Sequence, residues 1–126
     1  MEENVNAGID AEAFARQWIS NWNRKDVEAV LSHFSENVVF TSAKAKAVLG
    51  TARVEGKSRL REYWSTAIGR IQTIRFTLDH VIGDGDRIGI IYTADIDGRR
   101  TRAVEFLKFG DDGLVREGEA MYGVEL

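Results

Sequence analysis

The hydrophobic period of this chain changes at Ile71, and that change constrains the fold more than any other feature. Before it, apolar residues recur at helical spacing. After it, they alternate with polar ones. Ile74-Arg75-Phe76-Thr77-Leu78-Asp79-His80-Val81-Ile82 alternates almost throughout, as a strand with one buried face does. Gly83-Asp84-Gly85-Asp86 reads as a turn, and residues 87–96 as a strand. Asp97-Gly98 then makes a two-residue hairpin turn, with residues 99–109 as the return strand. Gly110-Asp111-Asp112-Gly113 turns again into a last strand over residues 114–124.

The first half reads as helices. Asp10 is placed to cap one helix, on which Phe14, Trp18 and Trp22 form a single stripe. Asp26 caps a second, with Val27, Val30, Leu31 and Phe34 on one face. A short strand follows at residues 38–42, and the glycine-interrupted stretch 43–54 reads as a loop. Ser58 opens a third helix with Leu60, Tyr63, Trp64, Ala67 and Ile68 on its buried face and Gly69 at its end. Three helices followed by an antiparallel meander make an α+β domain spanning residues 1–126, with 1–8 as a loose tail. A chain of 126 residues is long enough to bury a sizeable core.

The turns set the strand registers. A two-residue turn at Asp97-Gly98 pairs Ile96 with Arg99, Tyr92 with Ala103 and Ile90 with Glu105. A three-residue loop over residues 84–86 pairs Ile82 with Ile88, His80 with Ile90 and Leu78 with Tyr92; a four-residue loop would set Asp79 against Ile90 and mix polar with apolar. The first choice keeps one face apolar and places His80 and Glu105 on it, each beside Ile90, together with Ala103, Leu107, Gly118, Ala120 and Tyr122. Burying a lone carboxylate costs several kcal/mol or raises its pKa until it is neutral, so a glutamate in this place marks a candidate site. The plainer alternative is a structural carboxyl hydrogen-bonded to Trp18, Tyr92 or Tyr122. His80, close to a strand end, is either a catalytic partner or a rim residue. If the loop is not three residues long, His80 faces outward and Asp79 takes its place.

Composition removes several classes of function. A net charge of −3 and a pI near 5.4 disfavour nucleic acid and anionic membranes as partners. Cysteine is absent, which excludes disulfides and thiolate zinc sites. Phosphate-loop and His-Glu-x-x-His patterns are missing, and residues 83–86 lack the terminal glutamate of a calcium loop, so neither metal nor cofactor is expected. Arg99, Arg100 and Arg102 read as a solvated strand start, and His33 as a surface residue. The acidic N-terminus carries no secretory pattern, no apolar run reaches the ~20 residues of a membrane helix, and a cytoplasmic location is expected.

Four segments carry a family resemblance: Trp18 with 23–30 (Asn-Arg-Lys-Asp-Val-Glu-Ala-Val), 34–40 (Phe-Ser-Glu-Asn-Val-Val-Phe), 55–64 (Glu-Gly-Lys…Leu-Arg-Glu-Tyr-Trp) and 105–113 (Glu-Phe-Leu-Lys-Phe…Asp-Gly). With them the chain resembles the SnoaL-like branch of the nuclear transport factor 2-like superfamily, which includes ketosteroid isomerase and SnoaL-type polyketide cyclases. The resemblance implies a strongly curved sheet wrapped around helices as a cone, a deep apolar pocket and dimers through the outer sheet face, where Ile91, Val104, Phe106 and Met121 would lie. It equates Glu105 with the isomerase's oxyanion-binding acid, Trp18 with its helix-one tyrosine and Ser42 with its catalytic aspartate. With serine at the base position, it argues against ketosteroid isomerisation by the usual residues.

Two functions are compatible with this reading. One is a cofactor-independent isomerase, cyclase or hydrolase acting on a hydrophobic carbonyl or ring compound, with Glu105 as acid or base and His80 as its counterpart. The other is a non-catalytic module binding an apolar ligand, or a dimerisation scaffold. In either case Trp18, Phe40, Ser42, Trp64, Tyr92 and Tyr122 are the residues expected around a hydrophobic small molecule.

Overall fold

The computed structural model describes residues 9–126, so the tail expected at residues 1–8 lies outside the described residues. The elements run α1 (Ala11–Asn23), α2 (Val27–Leu31), β1 (Phe34–Ser42), α3 (Ala43–Leu49), β2 (Arg53–Glu55), α4 (Lys57–Gly69), β3 (Ile74–Asp84), β4 (Arg87–Ile96), β5 (Arg99–Phe109) and β6 (Val115–Glu125). The strands form one curved, unclosed sheet in the order β2-β1-β6-β5-β4-β3. The β1–β6 pair is parallel and the other pairs are antiparallel, so the sheet is mixed. No described helix is long and apolar enough to cross a membrane.

Local chemistry starts the helices where expected. Asp10 Oδ1 accepts the Ala13 N–H at 3.0 Å, and Asp26 Oδ1 accepts that of Ala29 at 3.0 Å. Each such cap is worth ~1 kcal/mol. The end of α1 is then clamped to the sheet. Asn23 Oδ1 accepts the Phe76 N–H at 2.6 Å, while its Nδ2 donates to the Phe76 carbonyl at 3.0 Å. This pair of hydrogen bonds fixes the α1 stripe over β3 and β4, and Trp18 and Trp22 are buried there at 3% and 6% exposure.

Three expectations about the first half need correction. Phe34 does not extend α2; it opens β1 and pairs with Val115, because the chain turns at Ser32 and His33. The stretch read as a loop holds α3 and β2, so there are four helices rather than three among the described residues. Ala45 is fully buried in α3, and Gly50, at φ +83°, ends it in a left-handed conformation that glycine adopts at no steric cost. Helix α4 starts behind Gly56 rather than at Ser58, with the Leu60 N–H bonded to the Gly56 carbonyl at 3.0 Å.

The β4–β5 register is the expected one. Asp97 (φ +52°) and Gly98 (φ +88°) both have positive φ, as a type I′ turn requires, and Ile96 faces Arg99, Tyr92 faces Ala103 and Ile90 faces Glu105. The next ladder continues it, pairing Glu105 with Ala120, Leu107 with Gly118 and Ala103 with Tyr122.

The β3–β4 hairpin departs from expectation in one place. Its turn has two residues, Gly85 and Asp86, and Asp84 pairs with Arg87. That sets Val81, not His80, against Ile90. A bulge at Asp79 absorbs one residue, so that Leu78 still faces Tyr92. Phe76 and Leu78 therefore point inward as expected, whereas His80 and Ile82 point outward and are exposed. The bulge is held on the outer face, where Thr93 Oγ1 donates to Asp79 Oδ2 at 2.7 Å and Arg102 Nε lies 3.5 Å from the same carboxylate.

The core divides along the cone. One end is filled by Leu31, Phe34, Val38, Ile88, Leu107, Phe109 and Val115, all buried. Gly118 belongs to this packing. A Cβ there would stand 2.7 Å from Phe40 Cδ1 and 3.1 Å from Leu107 Cδ2, so only glycine lets the Phe40 ring lie against β6. Toward the other end the filling thins, and a cavity opens.

Candidate functional site

The cavity measures about 300 Å³ and draws residues from three helices and five strands. Helix α1 supplies Trp18 and Trp22, and α4 supplies Tyr63, Trp64, Ala67 and Ile68. Strands contribute Phe40 from β1, Phe76 from β3, Tyr92 and Ala94 from β4, Glu105 from β5 and Ala120 and Tyr122 from β6. The half-buried Ile68, Ile71, Ile74 and Ile96 mark its mouth.

Aromatic edges and faces lock the wall. Trp18 meets Tyr92 edge-on at 5.0 Å between centroids, Trp22 meets Trp64 at 5.1 Å, and Phe40 meets Trp64 at 5.3 Å. Such pairs add ~0.5–1.5 kcal/mol each beyond area burial and restrict ring motion. The indole N–H groups of Trp18 and Trp22 find no oxygen or nitrogen partner.

Glu105 is the unusual member. It is 4% exposed, and its Oε2 has no hydrogen-bond partner. The bonds to Trp18, Tyr92 or Tyr122 that a structural role would need are not made. With Ile90 opposite and no cation to hold its charge, burial pushes the carboxyl well above the usual carboxylate range. The neutral form is favoured, and a neutral carboxyl donates a hydrogen bond where a carboxylate only accepts.

Tyrosines surround this acid. Burial raises the Tyr92 hydroxyl well above its ordinary value, and a charge on Glu105 would raise it further. Tyr122 is raised by burial first and by Glu105 second. Tyr63 is raised by burial and partly brought back by its bond to Ser42. These phenols therefore stay protonated at neutral pH.

Ser42, expected around the ligand, is not among the residues that line the cavity. It is 1% exposed and lies behind the wall, where its Oγ is 3.1 Å from the Tyr63 hydroxyl and 3.2 Å from that of Tyr122. It stands at the N-terminus of α3 without capping that helix, because its hydroxyl is engaged by the tyrosines.

Of the residues singled out in the sequence, the cavity brings together Trp18, Phe40, Trp64, Tyr92, Glu105 and Tyr122. His80 is outside it, on the far face of β3, for the register reason given above. Asp79, its replacement under another loop length, also faces out, toward Thr93 and Arg102. Two cavity residues that carry a hydroxyl or a charge were missed. Tyr63 carried a usable signal, since it lies on the apolar face of α4 beside Trp64. Lys44 carried none, because α3 was not recognised. Its side chain is exposed by area, yet its ammonium lies 4.2 Å over the Tyr122 ring at the cavity. Partial burial there lowers its pKa, and the nearby Arg99 lowers it further.

The sequence matches the SnoaL-like domain family over residues 15–118. Among solved structures, a SnoaL-like protein of unknown function from Burkholderia thailandensis E264 is 30% identical, with a TM-score of 0.80 over 90% of this chain and 93% of that one. The epoxide hydrolase/cyclase-like enzyme SalBIII, described in pyran ring formation in the polyether salinomycin, is 17% identical with a TM-score of 0.74 over 95% of both chains. A computationally designed 17-OHP binder is 19% identical with a TM-score of 0.72 over 90% of this chain and 92% of that one. No curated protein matches the chain.

Proposed function

The chain belongs to the SnoaL-like domain family, and from that premise we propose that its cavity takes a hydrophobic small molecule and presents Glu105 as a neutral acid to an oxygen atom of it. One observation carries this reading: a buried glutamate whose Oε2 has no hydrogen-bond partner, in a wall that is mostly aromatic and aliphatic. A ligand carbonyl, ether or epoxide oxygen is the missing acceptor. The same donor that holds such an oxygen steadies negative charge that develops on it, so the arrangement suits acid-assisted isomerisation, cyclisation or ring opening without a cofactor. The water-poor wall strengthens each such interaction.

Two of the structural neighbours are consistent with the reading. One is described as epoxide hydrolase/cyclase-like, and another as a computationally designed 17-OHP binder. At their levels of identity they speak to the fold, so the chemistry rests on Glu105.

A second reading, binding without turnover, is favoured by a specific feature. Among the described residues lining the cavity, the other titratable groups are tyrosines held protonated and Lys44 at the opening, and no carboxylate or histidine serves as a partner base. Turnover in a panel of hydrophobic ketones and epoxides, run beside calorimetric binding, separates the two. Under the enzyme reading Glu105→Gln keeps affinity and loses turnover. Binding of the panel with no Glu105-dependent turnover leaves the binding module.

The outer sheet face is proposed as a homodimer surface. Phe106 and Met121 lie there at 43% and 45% exposure, an apolar area that association would cover.

A further inference from the structure

Lys44 is the cation among the described residues that line the cavity, and the acid-donor reading leaves it unused. Its ammonium stands over the Tyr122 ring at 4.2 Å, within the cavity wall. Among the described residues no carboxylate pairs with it. The charged group that acts on it is another cation, Arg99, whose own guanidinium is engaged by Glu125 at 2.9 Å. A cation over an aromatic face gains only ~0.5–1 kcal/mol at a partly exposed site, less than a charge-assisted hydrogen bond supplies. The protein therefore holds an ammonium at the edge of an apolar cavity with no carboxylate paired to it among the described residues.

The ladder places this cation relative to Glu105. Glu105 pairs with Ala120 and Ala103 with Tyr122, so Tyr122 lies two residues further along the same face of β6, toward the mouth. Two residues of strand span ~7 Å. The ring that carries the cation thus stands about one such step along β6 from the residue opposite Glu105.

We propose that the ligand is an apolar carboxylate, with its carbonyl or ether oxygen on Glu105 and its carboxylate on Lys44. This rests on the acid-donor reading and adds the second anchor, which fixes the orientation of the ligand in the cavity. A neutral apolar molecule would leave Lys44 unpaired, whereas an anionic end pairs with it. Placing the carboxylate on Glu105 instead would set two acidic groups together with no cation between them.

The test uses 4-benzoylbenzoate, an aromatic ketone with a carboxylate one phenylene ring away, and its methyl ester. Calorimetry gives the affinity of each at low and high salt, and the readout is the ratio of the two in one protein preparation. In the wild type the carboxylate binds about 10-fold more tightly than the ester, equivalent to ~1.4 kcal/mol, and the ratio shrinks as salt screens the pair. In Lys44→Met the ratio falls to about one, and in Lys44→Arg it is retained. A wild-type ratio near one, or a ratio that survives Lys44→Met, overturns the inference and leaves the acid-donor reading standing. If neither compound binds, both fall.

Discussion

Ile90 stands directly opposite Glu105 on the β4–β5 ladder, and this pairing puts a carboxyl group against an aliphatic wall. Both are almost fully buried, at 0% and 4% exposure.

The pairing makes stability depend on pH in a definite direction. Burial raises the Glu105 pKa well above its ordinary value of 4.5, so the folded protein keeps a proton that the unfolded chain releases. The contribution is fully present below the unfolded pKa and is lost as pH rises through the folded one. The slope is ~1.4 kcal/mol per pH unit for one proton. Glu105→Gln removes this dependence. Denaturant melts from pH 5 upward are expected to show the variant gaining on the wild type with each pH unit, and parallel profiles would refute the account.

The hydroxyl triad behind the wall acts as one unit. Ser42→Ala deprives both Tyr63 and Tyr122 of a shared partner, and a cost of ~1–3 kcal/mol in urea melts is expected. Tyr122→Phe removes one of the same bonds, so the double variant is expected to lose less than the sum of the two singles. Strict additivity would mean that the bonds do not form.

Gly118 is a packing requirement. In Gly118→Ala the new methyl meets Phe40 and Leu107 within 3.1 Å or less, and overpacking of this kind costs ~1–3 kcal/mol. Because Phe40 also lines the cavity, ligand affinity is expected to fall together with stability. A variant as stable as the wild type would show that β6 can move away from β1.

Self-association is expected through the outer face that carries Phe106 and Met121. Sedimentation at rising concentration should show a dimer in the wild type and a monomer in Phe106→Glu. A wild type that stays monomeric throughout would remove that proposal.

Legibility in the sequence followed how tightly each turn was specified. Asp97-Gly98 permits positive φ at both positions, so it fixed a two-residue turn, and simple counting then set Glu105 against Ile90. Gly83-Asp84-Gly85-Asp86 permits several closures, and the bulge at Asp79 leaves no mark in composition. Leu78 opposite Tyr92 therefore survived the error while His80 fell on the wrong face. Helix α3 was hidden for a different reason. Ala43, Ala45 and Ala47 alternate with Lys44 and Lys46, a strand-like period in a segment whose residue types favour helix. Losing that helix also lost Lys44. The partner-free state of Glu105 could not be read from the chain at all, since it depends on how nearby hydroxyls are spent: Ser42, not Glu105, takes up those of Tyr63 and Tyr122.

The central claim is that Glu105 is an uncharged, unpartnered acid facing the cavity. Carbon-13 NMR titration of the glutamate side-chain carboxyls tests it most directly, with the Glu105 signal assigned by its absence in Glu105→Gln. A carboxyl that titrates well above the ordinary glutamate range in the ligand-free protein is the result expected. A signal that titrates near the ordinary glutamate value of 4.5 would contradict it.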